Sequence, residues 1–269
     1  MKTRNTKIGF ISMLQIVCLA FTLNATSHPS GLHFNPKGME LTFAENKCQV
    51  KDYSGRINKK VLFLAQSENM KYLFRKDGIS LQLTKPTQIS EFGATNQQNR
   101  TNSGLGYNRL EISWEGMNKG ADIYGAEEFN FNFMKTSTPE KSKECQIKNF
   151  RKLYYTEIYP GIDLRYCDLD NRLKFDILVQ PGFDYKEIKM RIDSAREVYV
   201  NKNGQLVIST KDGEVFKDAP VVTQEGKPLQ AKWTVQNQLV SLDILYFDRT
   251  KEINIQTTLF YKGNEEVKL

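Results

Sequence analysis

Apolar and polar residues alternate with a period of two along most of this chain, which predicts half-buried strands. Ile79-Ser80-Leu81-Gln82-Leu83 and Leu110-Glu111-Ile112-Ser113-Trp114 show the pattern in its plainest form. Val61 to Ala65 is a short, continuous apolar strand, and Lys71 to Arg75 forms a hairpin with Ile79 to Leu83. Asp77-Gly78 lies between those two and supplies the positive φ angles of a tight turn. The most informative stretch runs from Tyr154 to Gly182. It reads as a strand, a Pro160-Gly161 corner, a strand, a polar turn at Asp168 to Asn171, a strand, and a second corner at Pro181-Gly182.

Turn signals then recur at short spacing. They fall at Asn203-Gly204, Asp212-Gly213 and Glu225-Gly226-Lys227, between the short apolar runs 197–200, 206–210, 214–216, 221–224, 230–235, 239–244 and 252–257. This pattern predicts an all-β, antiparallel, sandwich-like fold. Asp184 to Ile192 is the only stretch with helical character, so at most one short helix is expected, with another strand as the rival reading. An N-terminal β region covers 28–138 and a C-terminal β-sandwich region covers 139–269, packed either separately or as one unit. The polar stretch 93–108 reads as a long surface loop. Phe129-Asn130-Phe131-Asn132-Phe133 puts three aromatics on one face, either a sheet's inner face or a sugar-stacking platform. Thr136 to Lys148 reads as a connector.

The first 27 residues have the form of a secretory leader. Lys2, Arg4 and Lys7 precede a mostly apolar run of 16 residues, Ile8 to Leu23, with small residues at Ala25, Thr26 and Ser27. The run is shorter than the roughly 20 residues of a spanning helix. The chain is therefore expected to be exported, to the cell surface, the medium or the periplasm, with no membrane span in its mature part. A lipid anchor at Cys18 is disfavoured by the bulky Gln15-Ile16-Val17 before it.

Losing Lys2, Arg4 and Lys7 takes three charges off the formal +7 and leaves +4. The basic residues are interspersed with acidic ones and form no aromatic-laced basic block, which argues against nucleic acid as a partner. Three cysteines remain after the leader, Cys48, Cys145 and Cys167. An odd count leaves at least one thiol unpaired within the chain, and none lies in a CxxC pair.

Several of these segments carry a family likeness. Phe43 to Gln49, Tyr72 to Ile79, Tyr159 to Leu164, Leu173 to Asp176, Pro181-Gly182, Gly204 to Ile208 and Ala219 to Gln224 are the matching residues. The chain resembles the uncharacterised N-terminal extracellular β domain of Bacteroidetes-type surface proteins. Those proteins carry SBBP β-propeller repeats, PKD-like domains or C-terminal gliding-motility or sorting domains. Cys48 departs from the family's glycine. With none of those repeats after it, the chain is expected to be a stand-alone or shortened member. The resemblance implies an extracellular module and brings no catalytic residues.

Candidate chemistry is thin. His28 and His33 are the only histidines, both near the start of the mature chain, and a Ser-His-Asp or Cys-His arrangement needs a positioned one. No catalytic, cofactor or metal site is assigned. Asp163 and Asp176, on neighbouring expected strands, are the one carboxylate pair that a glycoside hydrolase could use. Asp163 beside a Pro-Gly corner is equally explained as a turn-fixing acceptor. Asp168-Leu169-Asp170-Asn171 offers oxygens to calcium but lacks the glycine and distal glutamate of an EF-hand loop. Trp114, Trp233 and Tyr154, Tyr155, Tyr159 and Tyr166 are candidates for a carbohydrate-binding face if exposed, and for core if buried. Asp193-Ser194-Ala195 fits a short O-glycosylation pattern. The expected function is a secreted or cell-surface, non-catalytic module that binds or scaffolds a cell-envelope protein or polysaccharide. A carbohydrate-binding module and a glycoside hydrolase are the alternatives.

Overall fold

The computed structural model describes residues 40–47, 49–52, 54–67, 69–83, 108–129 and 147–263. The expected leader, His28, His33, Cys48, Cys145, nearly all of the 93–108 loop, and most of the 129–133 stripe and the 136–148 connector lie outside these residues. The alternation becomes antiparallel strands throughout, and one turn of 3-10 helix is the sole helical element among the described residues.

The strands before the connector are β1 (Phe43–Glu45), β2 (Val61–Gln66), β3 (Met70–Arg75), β4 (Gly78–Leu83), β5 (Asn108–Trp114) and β6 (Asp122–Phe129). Three long strands follow: β7 (Asn149–Tyr159), β8 (Ile162–Leu169) and β9 (Arg172–Val179). The remainder are β10 (Lys189–Asp193), β11 (Glu197–Val200), β12 (Leu206–Ser209), β13 (Gly213–Lys217), β14 (Val221–Gln224), β15 (Lys227–Gln236), β16 (Leu239–Leu245) and β17 (Ile253–Gly263).

The turns fix the register. Pro160-Gly161 joins β7 to β8 with Tyr159 opposite Ile162, and Gly161 takes φ +64°. Asp170 and Asn171, at φ +53° and +61°, close the β8–β9 hairpin with Leu169 opposite Arg172. Positive φ at both central residues gives the strand-matching twist of a type I′ turn. Asp77-Gly78 behaves differently from expectation. Arg75 pairs with Gly78, so Lys76 and Asp77 form the loop and the glycine opens β4. A Cβ there would collide with the Ile112 backbone of β5, so close strand approach rather than the turn demands glycine. In 184–192 both readings hold in part. Asp184 accepts a hydrogen bond from Lys186 N at 3.0 Å and caps a single 3-10 turn, Tyr185–Glu187, after which β10 begins.

Hydrogen bonding forms a closed circuit. It runs from β1 through β2, β3, β4 and β5 to β10, then through β16, β15 and β14 to β17. From β17 it passes to β9, β8 and β7 and returns to β1. β6 extends outward from β7, and β13, β12 and β11 extend from β17. The sheet folds over on itself, and the side chains of β3 and β5 meet those of β7 to β9. Phe74 packs edge-on against Tyr166 at 5.1 Å, and Trp114 Nε1 donates to the Tyr166 hydroxyl at 3.3 Å. Tyr155 donates to the carbonyl of Arg75 at 2.6 Å and Tyr159 to that of Glu115 at 2.9 Å. Such buried phenols bring aromatic area to the core and satisfy backbone carbonyls at strand ends. Among the described residues no helix is long and apolar enough to cross a membrane.

One core position breaks the apolar rule. Lys217, 1% exposed, shares the inner face of β13 with Val215. Its Nζ lies 3.1 Å from the Phe175 ring centroid and 5.8 Å from that of Trp233, with no hydrogen-bond acceptor. Burial holds its pKa well below the usual lysine value, only partly opposed by Asp218.

Two outcomes follow from this packing. Gly161→Ala is expected to cost about 1–2 kcal/mol from the positive φ alone, and more because its Cβ would meet the Phe183 ring; chemical denaturation measures it. For Lys217, the unfolded chain binds a proton below about pH 10.4, whereas the folded one does not until its lowered pKa is reached. Stability therefore rises with pH across that window. Lys217→Met should raise the thermal midpoint at pH 7 by about 2–4 °C or more and flatten the slope of stability against pH.

Candidate functional site

The outer face of β6 to β9 and β17 holds the densest set of chemically active side chains. It follows from the turns just described. The two-residue hairpin at Asp170-Asn171 sets Arg165 directly opposite Asp176, and the Pro160-Gly161 corner with its bulge sets Tyr154 opposite Arg165. β6 adds Tyr124 opposite Tyr154, and β17 adds Gln256 opposite Asp176. Partners in register point to the same face. The outer surface therefore carries the row Tyr124, Tyr154, Arg165, Asp176, Gln256.

Tyr124 and Tyr154 lie with ring centroids 5.4 Å apart and planes 9° from parallel. Tyr124 is 47% exposed. Asp176, in contrast, is only 6% exposed. Arg165 Nε donates to its Oδ2 at 3.0 Å and Lys174 Nζ lies 2.9 Å from its Oδ1. Burial works against the Arg165 charge, but hydrogen bonds to Asp176 and Tyr154 outweigh it and raise the pKa. Cys167 sits beside them, 3.9 Å from Asp176, where burial and then the carboxylate push its thiol pKa up. That makes it a poor nucleophile. Lys152, next along β7, pairs with Glu127 of β6.

The same face carries a second aromatic pair. Phe216 of β13 and Phe260 of β17 stack at 5.4 Å and 12°, and the exposed Arg172 places its guanidinium 4.4 Å from the Phe260 centroid. Asp218, beside this pair, is held by Gln205 Nε2 at 2.9 Å and by the Thr258 hydroxyl.

The residues singled out from sequence divide sharply. Trp114 and Trp233 are 3% and 4% exposed, and Tyr155, Tyr159 and Tyr166 are at 0–2%. These five belong to the core and offer nothing to a ligand; Tyr154 alone of that set reaches the outer face. Trp233 Nε1 is satisfied by the Asp218 carbonyl at 2.9 Å. Asp163 and Asp176 share the outer face of neighbouring strands, one diagonal step apart. Asp163 accepts from Glu157 N at 2.7 Å and so stabilises the β7 bulge, where Glu157 has φ +54°. Asp176 is neutralised by two cations, Arg165 and Lys174. Asp168 accepts from Leu41 N at 3.0 Å, and burial raises its pKa, while Asp170 and Asn171 form the turn. Among the described residues no three His, Cys, Asp or Glu side chains gather as a metal site would require. Ser194 is exposed at the end of β10 with φ +68°.

Tyr124 was not legible as a site residue. Its strand contains Gly125 and two adjacent glutamates, Glu127 and Glu128, which obscure the alternation. A depression of about 400 Å³ lined by Thr223, Glu225, Gly226, Glu252 and Asn254 lies at the β14–β15 turn, with Asn254 two positions from Gln256 on β17.

The family model for a domain of unknown function, DUF7948, matches residues 43–256. The chain belongs to the DUF7948 family. The DUF7948 match begins at β1 and ends within β17, so it contains members of every step of the closed circuit. No curated protein and no solved structure matches the chain.

Asp176→Asn should leave Arg165 and Lys174 without a counterion. With those side chains 35% and 19% exposed, solvent screens part of the loss. A cost of about 1–3 kcal/mol is expected, read as a lower denaturant midpoint with an unchanged m-value.

Proposed function

We propose that this chain is an exported, non-catalytic module that binds a polysaccharide of the cell envelope through the outer face of β6 to β9. The observation that supports the reading is the Tyr124–Tyr154 pair, nearly parallel, with Tyr124 open to solvent and Tyr154 half-buried, in line with Arg165 and Asp176. Aromatic faces stack on the apolar faces of sugar rings, while the guanidinium that Asp176 holds in place can donate to hydroxyls. Such a face needs no rearrangement to bind, because sheet and ion pair already hold it. Export rests on the leader-like residues 1–27, and a place on the surface of a Bacteroidetes-type cell rests on the resemblance described above. In that setting the module works beside propeller, PKD-like or sorting domains supplied by the same or neighbouring chains. The carboxylates Asp163 and Asp176 are employed in holding the face and not in hydrolysis.

The test is an array of cell-envelope polysaccharides probed with the purified chain. Specific binding that weakens about five- to tenfold in Tyr124→Ala or Tyr154→Ala is the expected result. Binding unchanged in both folded variants would move the contact surface elsewhere, and a blank array from folded protein would direct the search to envelope proteins.

A further inference from the structure

The reading above leaves the class of polysaccharide open, and the inference here rests on it. We infer that the ligand is an anionic polysaccharide, one bearing uronic-acid carboxylates, laid diagonally across the outer face from the tyrosine pair to the phenylalanine pair.

Two aromatic platforms mark the ends of the path. Tyr124 and Tyr154 stand at one end and Phe216 and Phe260 at the other, each pair within 12° of parallel. From Tyr154 to Phe260 the path crosses β8 and β9 and climbs four residues along the strands, from the level of Asp176 to that of Arg172. At ~4.8 Å between strands and ~3.3 Å per residue along them, the separation is about 20 Å. A chain of several sugar rings spans that distance; a mono- or disaccharide does not.

The charge between the platforms is unequal. Arg165 and Lys174 share the single carboxylate of Asp176. Arg172 is exposed, lies over Phe260 and has no carboxylate partner among the described residues. Asp218, beyond β17, is already bonded to Gln205 and Thr258, and Lys152 is matched by Glu127. The line from Tyr154 to Phe260 therefore carries three cations and one carboxylate. A neutral glycan would leave that excess unmatched. A carboxylate on the sugar meets it, and a guanidinium fork presents the bidentate geometry that carboxylates prefer. Arg172 makes the leading contact because its charge is exposed and pre-placed on an aromatic face.

The experiment compares polygalacturonate, alginate and hyaluronan with the same polymers after chemical reduction of their carboxyls to neutral alcohols. Titration calorimetry or affinity electrophoresis with the full chain reads the binding. At least one acidic polymer should bind about tenfold or more tightly than its reduced form. The preference should shrink on raising the salt concentration and in Arg172→Gln, while Arg172→Lys keeps part of it. Tyr124→Ala should weaken acidic and reduced forms alike, since stacking ignores charge. Equal binding of acidic and reduced polymers overturns the anionic preference and leaves polysaccharide recognition standing. Failure of the folded chain to bind any of the polymers, acidic or reduced, overturns this inference; if the broader envelope-polysaccharide array is also blank, polysaccharide recognition falls with it. Tighter binding of a single-stranded oligonucleotide or an acidic protein, tested alongside, also overturns it.

Discussion

β17 is the strand on which the rest of the fold depends. One edge pairs with β9 along most of its length; the other gives its first half to β14 and its second half to β13. Three sheet segments therefore meet on one backbone. Without that ladder, β9 loses one of its two neighbours, the β13–β12–β11 extension has no attachment, and the circuit is open. A closed circuit leaves few unpaired edges, and free edges are what make large β proteins prone to pair with one another. Among the described residues only β6 and β11 have a single strand partner in the hydrogen-bonded ladders.

The inner and outer faces of β7 to β9 divide the chemistry between them. Inward, Tyr155, Tyr166 and Phe175 interlock edge to face and bury their area. Outward, Tyr154, Arg165 and Asp176 stand on adjacent positions of the same strands. A one-residue slip would exchange the two sets, so core packing also specifies what the surface presents. Asp176 shows the same dual dependence. Its near-complete burial is tolerable because two cations from β8 and its own strand sit on it, and those cations are thereby held in place.

Much of this was readable from residues alone. The hairpin from β7 to β9 was legible because Pro-Gly and Asp-Asn have narrow backbone preferences, and a two-residue turn at Asp170-Asn171 already implies that Arg165 faces Asp176. Other features were hidden. Tyr154 and Tyr155 are adjacent tyrosines, so pattern alone could not say which of them faced the core. Lys217 was hidden by its type: it alternates with Val215 and lies inward, whereas lysine ordinarily stays wet. Tyr124 was concealed by Gly125, whose absent Cβ makes room for the Phe150 ring, and by the nearby Glu127, which takes φ +58°. The Asp-Gly pair at 77–78 was read as turn chemistry, but the limiting contact is with a strand more than thirty residues away.

Among the described residues the junction strand is also the last in sequence. Its partners β9, β13 and β14 are all made before it, and β1, at the other end of the described chain, must wait for β7 before its second edge is paired. Pairings this distant along the chain are slow to form, because loop entropy is lost before contacts repay it. A growing or translocating chain thus carries several unclosed edges until the residues of β17 emerge. The fold therefore closes only once the residues of β17 are available to pair. Anything that delays β17 extends the period in which those edges are available to the wrong partner.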